Sequence, residues 1–168
     1  DRVSRKIREV RELEALGSEV LVFSVDATDP REMQAVMDKV HETFGKINGV
    51  IHAAGVPGGG VIQLKNRQTA ETVLAPKVKG TLVLNSLLKD DDLDFFVLCS
   101  SINSVMPVFG QVDYFAANAF LDAFAFYKTA AGGTFTVSIN WDAWQEVGMA
   151  VAAARKALEI PGHLNYQN

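Results

Sequence analysis

The chain has 168 residues, 48% of them hydrophobic and 21% charged, with a formal net charge of −4. That is long enough for one domain with a sizeable core; the balance excludes a disordered chain, and an acidic chain with no basic run argues against nucleic-acid or anionic-membrane partners. Cys99 is the only cysteine, which excludes an internal disulfide and fits a reducing, cytoplasmic compartment; no apolar stretch is long enough for a membrane helix, and no apolar signal segment leads the chain.

In chain order, Ile7, Val10, Leu13 and Leu16 recur at helical spacing, and Gly17 stands where a C-cap belongs. This opening is amphipathic, charged and without Met, and reads as an internal piece of something longer. "EVLVFSV" (19–25) predicts a strand, bounded by "DATDP". Asp29 as N-cap and Pro30 at the first helical position predict a helix to about Phe44. "VIHAAG" (50–55) predicts a second short strand, and a helical pattern runs from about Gln68 to Leu88, where "DDDLD" breaks it. "FFVLCSS" (95–101) predicts a third strand, "QVDYFAANAFLDAFAFYKTA" a long helix, and "FTVSINW" (135–141) a fourth strand. The Ala-rich tail "EVGMAVAAARKALEI" predicts a further helix.

Helices alternating with short, nearly continuous apolar strands predict an α/β fold with a parallel sheet covered on both faces. Such doubly wound sheets bind ligands at the carboxyl ends of their strands, where Asp26, His52, Ser100, Ser101 and Asp142 fall. The three histidines, His41, His52 and His163, are scattered and the cysteine stands alone, so no metal set is expected. "GGG" (58–60) precedes no G-K-[ST] and reads as a flexible turn, not a phosphate loop.

Five segments carry a specific resemblance: "VIHAAGV", "LAPKVKGTLVL", "FFVLCSSINSV", "GQVDYFAANAFLDAFA" and "SINWDAWQEVGMA". Together they make the whole chain resemble the ketoreductase domain of modular polyketide synthases, a branch of the short-chain dehydrogenase/reductase superfamily. Many reductases of that superfamily carry Y-x-x-x-K, but here Asn118 takes the place of the lysine, one turn beyond Tyr114. In the resembled family the lysine lies on the preceding helix, the serine 24 residues after it and the tyrosine 13 after the serine. Ser101 follows Lys77 by 24 residues and Tyr114 follows Ser101 by 13, whereas Lys79 and Ser100 miss that register.

The resemblance implies Lys77, Ser101, Tyr114 and Asn118 as catalytic residues. Tyr114 would donate the proton; a phenol has a pKa of about 10, and a nearby ammonium, Lys77, makes it a better donor. Lys77 would also hold the nicotinamide ribose. Ser101 would bond the substrate carbonyl, and Asn118 would position Lys77 and a relaying water. On the cofactor side it implies Asp26 at the adenine amino group, with Ala27 completing that step, and Ala53, Ala54 and Gly55 along the adenosine ribose. The bare residues allow plainer readings: a core tyrosine, a surface lysine, capping serines, an asparagine at a bend, and a turn-capping Asp26. Asp113 has no role in the family pattern.

The implied fold is a Rossmann-like doubly wound parallel sheet. It is truncated: the first strands with the glycine-rich turn, and the last strand, are missing. Residues 1–168 would be the central and catalytic part of one ketoreductase domain, with 149–168 in the lid region. The implied function is NADPH-dependent reduction of a β-ketoacyl thioester on an acyl carrier protein, with neighbouring synthase domains as partners. The alternative is a non-catalytic docking segment of a polyketide or fatty acid synthase. One family subtype carries L-D-D after "AGV" and the other a Trp eight residues before the Tyr; here stand Pro57, Gly58, Gly59 and Met106, so neither configuration of the product is implied.

Overall fold

Short signals at the element ends set the architecture. The structure is a computed structural model and describes residues 2–145, 148, 149 and 151. Its elements in chain order are α1 (Arg2–Ala15), α2 (Pro30–Phe44), β1 (Gly49–His52), α3 (Arg67–Leu87), β2 (Phe95–Ser101), α4 (Val112–Ala130) and β3 (Thr136–Trp141). At the end of α1, Gly17 adopts φ 91°, and the amides of Gly17 and Ser18 reach back to the carbonyls of Glu14 and Leu13. Glycine reaches that left-handed backbone without the Cβ penalty other residues carry, and the two bonds satisfy carbonyls the helix leaves open. Asp29 caps α2 as expected, accepting from the amides of Arg31 (2.8 Å) and Glu32 (3.2 Å). Asn66 and Thr69 form a reciprocal capping box at the start of α3.

The three strands are parallel and lie in the order β1–β2–β3. His52 stands opposite Leu98, Leu98 opposite Ser138, and Ser101 opposite Trp141. Parallel strands put all their carboxyl ends at one edge, so the chain after His52, after Ser101 and after Trp141 emerges there together. Alternate residues of β2, Phe96 and Leu98, face a core made with Met33 and Met37 of α2, Val83 and Leu84 of α3, and Leu121 and Phe124 of α4. Phe96 meets Phe124 edge-on, centroids 6.3 Å apart at 72°. Burying each such side chain contributes about 1.5–3 kcal/mol.

Among the described residues this core lies on one face of the sheet. On the other face Ile51 is 66% exposed, and α1 contributes nothing to the core cluster. The run 19–25, expected as a strand, enters no ladder among the described residues, and Val22 and Val25 are exposed. A strand exists only where a second backbone takes its N–H and C=O groups, and apolar composition cannot supply one. For the same reason the strand expected over 50–55 ends at His52, the last residue of β1 in register with β2. The expected tail helix (146–160) and lid (149–168) fall outside the described residues apart from Gly148, Met149 and Val151.

Candidate active site

A cleft of about 400 Å³ opens at the carboxyl edge of the sheet, lined by Pro57, Gly58, Ser101, Ile102, Tyr114 and Trp144 among others. Ser101 ends β2, and its Oγ accepts from the amide of Asn103 (3.3 Å), capping the turn Ile102–Ser104. Tyr114 sits in the first turn of α4, half-buried. Its amide, one of the donors a helix start leaves without an internal partner, is taken by Asp113 Oδ1 at 2.9 Å. Ser101 and Tyr114 are therefore brought to one cavity from two different elements.

Lys77 and Asn118 do not line that cavity; both are buried. Lys77 is 3% exposed, and its Nζ donates to the carbonyl of Cys99 at 2.7 Å. Burial pushes its ammonium below the usual lysine range, opposed in part by Cys99 and by the carboxylate of Asp122. Lys79, two residues on, is exposed. Asn118 is 0% exposed; its Nδ2 donates to the carbonyl of Tyr114 at 2.7 Å, and its Oδ1 is buried without a partner. Ser100 points away from this chemistry, donating to the Asn118 carbonyl at 3.2 Å and tying β2 to α4.

The residues expected on the cofactor side divide. Asp26 is exposed, and its Oδ1 accepts from the amide of Thr28 at 2.8 Å; that bond lowers its pKa and makes it a turn-capping residue in this structure. Ala27 is half-buried and packs on the core. After β1, Ala53 is exposed while Ala54 and Gly55 are half-buried. Gly55 lies against Lys77: a Cβ there would stand 3.1 Å from Lys77 Cε. His52 is buried and donates from Nε2 to the Pro76 carbonyl at 3.1 Å; burial lowers its pKa, opposed by that bond, so it serves as a neutral strut between β1 and α3.

Two features escaped sequence reasoning. Asp113 pairs with Lys65, Nζ to Oδ2 at 2.6 Å, the side chains 2% and 9% exposed. The partners are 48 residues apart, and neither has a local pattern pointing to the other. The glycine turn is correspondingly no loose tether: a Cβ on Gly58 would stand 2.7 Å from both Asp113 Oδ1 and Tyr114 Cβ. Deeper in, Asp122 accepts from Ser138 Oγ (2.5 Å) and Asn140 Nδ2 (3.2 Å), joining α4 to β3. Among the described residues no group of three His, Cys, Asp or Glu could hold a metal ion, and no helix is long and apolar enough to cross a membrane.

The family model described as "KR domain" matches residues 2–146. Polyketide synthase PksL of Bacillus subtilis is 39% identical over 99% of this chain, and 5-methyl-1-naphthoate synthase of Streptomyces sahachiroi 33% identical over 93%. The chain spans only 4% and 9% of those two proteins. Among solved structures, a ketoreductase domain from the bacillaene assembly line is 36% identical with a TM-score of 0.82, covering 92% of this chain and 38% of its own. An N-terminal ketoreductase from the macrolactin assembly line is 38% identical with a TM-score of 0.79, covering 83% of this chain and 29% of its own.

Proposed function

This chain belongs to the KR domain family of polyketide synthases, and from that membership we propose that it reduces a β-ketoacyl thioester carried on an acyl carrier protein to the β-hydroxyacyl thioester, with NADPH as reductant and neighbouring synthase domains as partners. The observation that carries this reading is the convergence of Ser101 and Tyr114 on one cleft, with Lys77 and Asn118 buried in the adjoining helices.

The residues present fit a nicotinamide nucleotide. Small residues at 53–55 leave backbone as the local surface, and a side chain on Gly55 would press tightly on Lys77. The buried, unpartnered Oδ1 of Asn118 is an acceptor left over by the protein's own bonds. Lys77 and the 53–55 backbone would hold the nucleotide, with Asp26 and Ala27 nearer its adenine end. Bound there, NADPH supplies the hydride.

The chain's own residues handle the oxygen of the ketone. Ser101 Oγ donates to the carbonyl oxygen and steadies the charge that grows on it. Tyr114 Oη gives its proton to the same oxygen, and the Lys77 ammonium stabilises the phenolate left behind. Asn118 fixes the first turns of α4 through its bond to the Tyr114 carbonyl. The test is NADPH oxidation by the native polypeptide with a short β-ketoacyl thioester. Tyr114→Phe is expected to lower turnover by about 10²–10⁴-fold while NADPH binding persists; wild-type turnover in that variant would remove Tyr114 as the proton donor.

A further inference from the structure

Between β1 and α3 the chain reads Pro57, Gly58, Gly59, Gly60, and Pro57 and Gly58 form part of the cleft wall beside Tyr114. Glycines carry no side chain to shape a wall, so its shape depends on where the backbone is held. Two charged side chains hold it. Lys65 Nζ donates to the Gly59 carbonyl and to Asp113 Oδ2, and the other oxygen of Asp113 accepts from the Tyr114 amide. One ion pair thus ties the glycine loop to the first turn of α4, and Gly58 fits against Asp113 and Tyr114 only because it lacks a Cβ.

A pair buried this deeply adds little stability over an apolar pair of similar volume. What it adds is direction: charge-assisted bonds hold their partners at short, defined distances. We propose that Lys65 and Asp113 are positioning residues that hold the 57–60 backbone against Tyr114 and so determine which face of the ketone is presented for reduction. The proposal rests on the reductase reading above.

The test compares the native polypeptide with three variants: the double substitution Lys65→Met/Asp113→Asn, Gly58→Ala, and Lys65→Arg. The double substitution removes both charges together, leaving no uncompensated charge behind, and keeps an acceptor for the Tyr114 amide. Expected for it and for Gly58→Ala is a fall in kcat/KM for the keto thioester of about 10- to 100-fold, with KM for NADPH within about twofold. The minor hydroxyl configuration should rise in the product, and amide exchange at residues 58–60 should quicken. Lys65→Arg, which keeps the charge, should lie nearer wild type in product ratio.

An unchanged product ratio and unchanged kcat/KM in the folded double variant overturn the proposal. If the double variant does not fold, Gly58→Ala decides by the same measurements. Absence of keto thioester reduction by the wild type overturns the reductase reading instead. Amide exchange then still judges the clamp: unchanged protection at 58–60 in the variants shows that the pair does not hold the loop.

Discussion

Helices α1 and α4 both carry apolar residues on a repeating stripe, over 14 and 19 residues, yet they end in opposite conditions. In α4, Ala117, Leu121, Phe124 and Ala125 are buried against β2 and the neighbouring helices. In α1, Ile7 and Leu13 are exposed, as is Leu16 just beyond its end, and the following run 19–25 has no strand partner among the described residues. Periodicity forms the helix in both cases. Only a facing surface turns the stripe into stability, because the hydrophobic gain scales with area removed from water.

The largest effect that sharpens this contrast lies at the packed end. Lys77→Ala should lower ketone reduction by about 10²–10⁴-fold, whereas Lys79→Ala, on the exposed side of the same helix, should leave it within a few-fold; the reverse order, read in steady-state turnover, would overturn the assignment of the lysine. Next comes the core itself. Leu98→Ala should cost about 2–5 kcal/mol of unfolding free energy, as a fully buried leucine; Leu13→Ala, on the exposed stripe of α1, should stay within about 0.5 kcal/mol. Equal costs in denaturant titration would mean that α1 is covered after all.

The smallest effect concerns His52. Burial holds its imidazole below the ordinary histidine range, so the folded chain binds that proton less readily than the unfolded chain. Its contribution to stability is present above the ordinary histidine pKa and is lost as the pH falls toward the depressed one. Between about pH 7 and about pH 5 the wild type should lose more stability than His52→Gln, measured by denaturant midpoint. Parallel slopes would show that His52 does not titrate with folding.

Much of the fold, and the spacing that marks the candidate site, was legible because those signals are local or metrical. Asp29 with Pro30, Gly17, and the 24- and 13-residue spacings from Lys77 to Ser101 to Tyr114 stand in the chain itself. Burial then separated the near-equivalent neighbours: Lys77 lies inside and Lys79 outside, while Ser101 opens to the cleft and Ser100 bonds the α4 backbone. The Lys65–Asp113 pair was illegible, since its partners lie 48 residues apart and no local pattern joins them. Asp26 shows the converse: the short-range bond to Thr28 that a turn-capping reading expects is what the structure holds.

The sequence by itself determined the order of helices and apolar runs, the caps that start and stop the helices, and the family to which the site motif points. These follow from backbone sterics, side-chain hydrogen bonds within a few residues, and fixed spacing. The tertiary structure decided which apolar runs become strands, which stripes are covered, and which charges are paired. Each of those depends on a second surface brought from far along the chain, and no local pattern specifies its arrival.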